Sequence, residues 1–136
     1  MRVRTFPVPF ATIVGDEAHE LDFGPDDHVV VRPLFGLSKT EIEEWAARIG
    51  DVERLGIAAA DDASVKTEAA AAADQLIVDL LATAILSWQL EGPNGPIEKP
   101  TTPTALNALP GAIAGALYRF LTTYRGEVAG NPTIPR

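Results

Sequence analysis

A chain of 136 residues and 14.5 kDa suits one domain with room for an apolar core. Without cysteine it forms no disulfide framework and no thiolate metal site, so thiol redox chemistry is excluded. Its formal charge of −8 is uneven, with 14 acids and 7 bases in residues 1–68 against 5 acids and 4 bases in residues 69–136; an acidic chain with no basic stripe lacks the footprint for phosphate backbones or anionic membranes, and direct nucleic-acid or membrane binding is not expected.

The start, Met1-Arg2-Val3-Arg4, carries two positive charges but runs into Pro7, Pro9 and then acids, with no apolar run of signal-peptide length. No secretion signal is expected. Across the first 36 residues Phe6, Val8, Phe10 and Val29-Val30-Val31 are β-prone, while Gly15-Asp16, Gly24-Pro25 and Pro33 punctuate. This predicts a small antiparallel sheet or a pair of hairpins.

Ser38-Lys39-Thr40-Glu41 reads as a capping box, opening a short helix that ends near Ile49 with Gly50 as its stop. Ile42, Trp45, Ala46 and Ile49 form its apolar face, and Glu43, Glu44 and Arg48 point to water. Residues 51–63 read either as a helical turn or as a connection, because Gly56 and Asp61-Asp62 favour a break. From Ser64 the alanine block 69–73 and the stripe Leu76, Ile77, Leu80, Leu81, Ala84, Ile85 and Trp88 predict one helix of roughly six turns.

Glu91 to Pro96 breaks that helix as a turn, a Thr/Pro stretch follows, and Leu109-Pro110 opens another helix with Pro110 at its first position. On it Ile113, Leu117, Phe120, Leu121 and Tyr124 recur at helical spacing, and Gly111, Ala112, Gly115 and Ala116 permit close helix contact. The segment from Ala105 to Tyr124 is the one candidate membrane span, but Asn107, Pro110 and Arg119 interrupt it, so it reads as a buried helix. The tail from Gly126, with Gly130, Pro132 and Pro135, is expected to be extended. The expected fold is therefore α+β: one domain over residues 1–136, β-rich in 1–36, mainly α-helical in 37–125 and extended in 126–136.

Residues with catalytic potential do not assemble into a known constellation. His19 and His28, with Asp16, Glu17 and Glu20 nearby, lack HExxH spacing or a calcium-loop pattern. The pairs Asp26-Asp27 and Asp61-Asp62 are read as solvated turn or helix-entry positions, and Ser38 and Ser64 as helix starts rather than nucleophiles. In Gly92-Pro93-Asn94-Gly95-Pro96 the prolines remove amide donors that a phosphate cradle needs. The expectation is a protein that is not an enzyme and has no catalytic, cofactor or metal site. The residues singled out, as core or partner contacts, are Trp45, Trp88, Leu109, Ile113, Leu117, Phe120 and Tyr124.

The order of features resembles the tail assembly chaperones of long-tailed bacteriophages. A β-rich start precedes Arg-Pro-Leu and a capped helix (Arg32 to Ile49), then a helix ending in Ser87-Trp88-Gln89-Leu90. After it come an acidic and glycine turn with proline (Glu91 to Pro96), a Thr/Pro step (Pro100 to Thr104) and Leu109-Pro110. The resemblance spans roughly residues 29–125. It implies a non-enzymatic protein of virion assembly, present in the host cytoplasm. Such a protein binds the tape-measure protein and keeps it soluble while tail-tube subunits polymerise. A second expectation is a virion structural accessory, such as a capsid decoration, minor capsid or connector-associated subunit with extended arms on tail-tube or capsid neighbours. Self-association is left open in both.

Overall fold

The computed structural model describes residues 5–15, 21–32 and 37–130, with side chains described up to Thr122. His19 and its acidic neighbours, Pro33, the side chain of Tyr124 and the prolines of the tail lie outside the described residues.

Strand β1 (Phe6–Pro9), helix α1 (Phe10–Val14) and strand β2 (His28–Val31) form the N-terminal part. They are followed by α2 (Lys39–Asp61), a short 3-10 turn, α3 (Lys66–Ala84), β3 (Ile85–Gln89), a hairpin of β4 (Glu91–Gly92) and β5 (Gly95–Pro96), α4 (Pro103–Asn107) and α5 (Gly111–Gly130). The class is α+β, mainly α. One antiparallel sheet has the order β1-β2-β3, and β4 and β5 form a second.

The sheet turns one face to the helices. Val29 and Val31 of β2 are buried on that face, opposite Val8 and Phe6 of β1 and Trp88 and Ile85 of β3. Pro7 and Pro9 sit at alternate positions of β1, so the strand keeps its ladder with β2 although these residues offer no N–H. That leaves the outer edge of β1 without donors at those two positions. Phe10, expected to continue a strand, instead opens α1, and its amide donates to the Asp27 carbonyl at 3.0 Å.

Helix α2 begins as its sequence dictates, with Ser38 Oγ accepting from the Glu41 amide and the Glu41 carboxylate accepting from the Ser38 amide, both at 3.1 Å. It does not stop at Gly50. It runs 23 residues to Asp61. Each interior glycine costs about 1 kcal/mol relative to alanine, which the packing of Ile49 and Val52 against α3 offsets. Residues 51–61 are therefore helix, and Asp62, accepting from the amide and hydroxyl of Ser64 at 2.9 and 2.7 Å, caps the turn into α3. Ser64, expected at a helix start as a cap, is the capped partner.

The bonds with Ser38 hold the Glu41 carboxyl below the ordinary carboxylate range. A lowered folded value means the carboxylate bond contributes at neutral pH and is lost as the pH falls below that range. Ser38→Ala should remove about 1 kcal/mol of stability at pH 7. That loss should largely persist on acidification, because the Ser38 amide that Glu41 bonds stays in place; Glu41→Ala should instead differ from the parent at pH 7 and less at acid pH in urea melts, and an equal difference at both would rule out the carboxylate bond as its source.

Helix α3 gives the core more side chains than any other element: Leu76, Ile77, Val78, Leu80, Leu81 and Ala84 are buried, and burying each large side chain contributes roughly 1.5–3 kcal/mol. The helix expected to reach Trp88 ends at Ala84, and Ile85 to Gln89 pair with β2. A bulge decides the outcome. Val31 faces Ile85 while Val30 faces Ser87, so Leu86 is the extra residue and stands 54% exposed. Ile85 and Trp88, three apart, thereby reach the same face of the sheet.

Helix α4 was not foreseen. Thr102 caps it, Pro103 stands in its first turn, and Leu106 is buried. Helix α5 starts at Gly111 instead of Pro110, whose carbonyl accepts from the Ile113 and Ala114 amides at 2.9 and 3.1 Å. It continues to Gly130, so residues 126–130, expected as part of the extended tail, are helical. No described helix is long and apolar enough to cross a membrane.

Candidate functional site

Trp88 joins α1, β2 and the segment after the β4–β5 hairpin. Phe10 meets it edge-on, with ring centroids 5.0 Å apart, and Phe10 in turn stacks on Phe23 at 6.0 Å. The indole N–H donates to the Ile97 carbonyl at 2.8 Å, and the Ile97 amide donates to the Leu90 carbonyl at 2.9 Å. The segment after the hairpin is thus drawn alongside β3. Lys99 extends the same contact: its ammonium donates to the carbonyls of Ile85 at 3.1 Å and Leu81 at 3.4 Å. A cation at the end of α3 satisfies carbonyls that the helix leaves open and faces the negative end of its dipole.

Between these residues lies an open depression of about 300 Å³, lined by Trp88, Leu90, Pro96, Ile97, Glu98 and Lys99 among others. Trp88 is half-buried there, with its polar edge already engaged. Its lining is mixed, with the polar side chains of Gln89 and Glu98 beside the apolar ones of Leu90, Pro96 and Ile97.

Asp27 lies behind the same strand and corrects the expectation of a solvated carboxylate pair. It is 4% exposed. One carboxylate oxygen accepts from the Gly24 amide at 2.9 Å and the other from the Glu91 amide at 3.1 Å, 64 residues along the chain. Asp27 therefore pins the loop before β2 to the start of the β4–β5 hairpin. Its neighbour Asp26 is exposed, and the Asp26 carbonyl faces His28 Nδ1 at 2.7 Å; because a carbonyl only accepts, Nδ1 carries the proton. Among the described residues no group of three or more His, Asp and Glu side chains is placed to hold a metal.

The other singled-out residues divide between core and surface. Leu109, Ile113 and Leu117 belong to the core, with Leu117 0% exposed. Phe120 and Trp45 are half-buried against it. Trp45 stands on α2 with the Arg48 guanidinium 5.5 Å from its ring centroid, and Arg48 also pairs with Asp79 of α3 at 2.6 Å. Tyr118 of α5 is half-buried; burial, then the Glu53 carboxylate of α2, raises its hydroxyl above the ordinary tyrosine value. On α5 the exposed stripe is Gly111, Gly115 and Arg119, so the apolar face read from the sequence is turned inward.

Sequence reading missed Asp27 and Lys99, whose roles depend on partners distant along the chain. Compared with known proteins, the chain matches no family model, no curated protein and no solved structure.

Proposed function

We propose that this chain is a non-enzymatic assembly protein of the bacteriophage tail-chaperone type, which holds a client through apolar side chains left part-open on an acidic body. The client is the tape-measure protein or another tail component. The phage context rests on the sequence resemblance around Trp88, Glu91 to Pro96 and Leu109-Pro110. The observation that carries the binding reading is Trp45, half-exposed on a helix whose main packing partner is α3, with a guanidinium over its ring. Tryptophan and arginine are both enriched in interface hot spots. With Leu109, Ile113 and Leu117 committed to the core, contact with a helical client falls to Trp45, Phe120 and the open side of Trp88.

Co-expression with the tape-measure protein of the same phage tests the reading. The parent chain should keep the tape-measure protein in the soluble fraction. Trp45→Ala should remain folded, losing about 1–2 kcal/mol from half-burial, and should reduce co-purification at least tenfold. Undiminished co-purification would remove Trp45 from the contact. Quantitative mass spectrometry of mature particles separates the two assembly readings: absence of the chain fits a transient chaperone, and many copies per particle would replace that reading with the virion accessory.

A further inference from the structure

The β4–β5 hairpin carries chemistry that the binding reading does not use. Its loop is two residues, Pro93 and Asn94, closed by the pairs Gly92 with Gly95 and Glu91 with Pro96. Asn94 is exposed at the tip. Gly95 follows it with φ +115°, and no heavy atom lies within 4 Å of where a Cβ would project.

We propose that Asn94-Gly95 is a self-modification site, at which the chain converts its own asparagine to aspartate and isoaspartate. The Gly95 amide loses its proton to solvent base, and its nitrogen attacks Asn94 Cγ. The Cγ–Nδ2 bond breaks and ammonia leaves, closing a five-membered succinimide. Water then opens the ring at either carbonyl. Opening at the side-chain carbonyl gives aspartate; opening at the backbone carbonyl gives isoaspartate, in which the main chain runs through the former side chain. No oxidant or reductant takes part.

The sequence and the fold single out this asparagine among the three in the chain. Asn131 precedes Pro132, which has no N–H to act as nucleophile. Asn107 precedes Ala108, whose Cβ hinders closure, and its side-chain amide is held by Asp74 and by the Pro103 carbonyl, both at 2.9 Å. At Asn94 the brake is the hairpin ladder, which holds the Gly95 amide in place. The bonds of Asp27 to the Glu91 amide and of the Ile97 amide to the Leu90 carbonyl hold the base of the hairpin, so the opening that conversion needs is confined to its tip, where Pro96 donates nothing to the ladder.

The product changes the neighbourhood. Gly92 packs so closely on Ile97 that a Cβ there would sit 2.7 Å from Ile97 Cδ1, and Ile97 receives the Trp88 indole N–H. Isoaspartate lengthens the two-residue loop by one carbon and adds a carboxylate, which pulls the hairpin out of register. Ile97 then loses its fit over Gly92 and the wall of the Trp88 depression loosens.

The experiment ages the purified full-length chain at mildly alkaline pH beside a synthetic Gly-Pro-Asn-Gly-Pro-Ile peptide. Cleavage after Glu91 and Glu98 releases the segment from Gly92 to Glu98 for mass spectrometry, and an isoaspartyl methyltransferase reports isoaspartate. The expected result is a gain of the mass that separates OH from NH2, confined to this segment, with methyl acceptance in the parent and none in Asn94→Ser. Conversion of the peptide with none in the folded chain would overturn the proposal, and so would equal conversion at Asn107. Trp88 fluorescence should shift as conversion proceeds and stay constant in Asn94→Ser.

Discussion

Leu117→Asp should fail to fold. Leu117 is 0% exposed in the middle of α5, among side chains contributed by α1, α3 and α4. An aspartate there either buries an unpaired carboxylate, at a cost of several kcal/mol, or takes up a proton and still leaves a polar group without partners. Loss of the leucine itself removes a further roughly 2–5 kcal/mol, the range for truncating a core aliphatic side chain. The combined effect exceeds about 5 kcal/mol and is comparable to the whole stability of a domain this size. Far-UV circular dichroism and a urea melt of the purified variant are the measurements. A cooperative melt near that of the parent would show that Leu117 faces outward, as a client-binding face on α5 would require. Leu117→Ala should fold, with a loss within the truncation range.

Asp27→Ala should cost roughly 3–5 kcal/mol, from two hydrogen bonds to a charged group at about 1.5–3 kcal/mol each. The loss has two origins. Both carboxylate bonds disappear, and the amides of Gly24 and Glu91 are left facing an apolar methyl group. Asp27→Asn should be milder, because its amide oxygen still accepts from one partner while its NH2 meets the other donor head-on. Urea denaturation of the three proteins should therefore order them parent, Asn, Ala in falling stability. A cost below about 1 kcal/mol for the alanine variant would mean that solvent replaces the carboxylate, and that the long-range pin is incidental.

The elements legible in the sequence are those whose causes are local. The Ser38 to Glu41 box, the alanine-rich start of α3, the Val29 to Val31 strand and the turn at Pro93-Asn94 each depend on neighbours within four residues, and each appears where its residues stand. The errors have tertiary causes. Gly50 reads as a stop only until α3 supplies a surface for Ile49 and Val52 to cover. Ile85 and Trp88 keep helical spacing, yet β2 offers a ladder, and the extra residue Leu86 turns a spacing of three into one face of a strand. Leu109, Ile113 and Leu117 were legible as an apolar stripe, but the sequence holds no signal for whether this chain or another covers it. Asp27 was misread because its second partner, Glu91, is 64 residues away.

The blunted borders of the three-stranded sheet bear on how copies of the chain meet in a crowded cell. At one border Pro7 and Pro9 supply no donors; at the other, Lys99 takes up the Ile85 carbonyl and the segment after the hairpin lies alongside. Two missing donors on one edge and an engaged carbonyl on the other make strand-by-strand pairing between copies less favourable than at an unmodified edge. The surfaces left for a partner are then the side chains that stand part-open, Trp45 and Phe120 on the helices and Trp88 on β3.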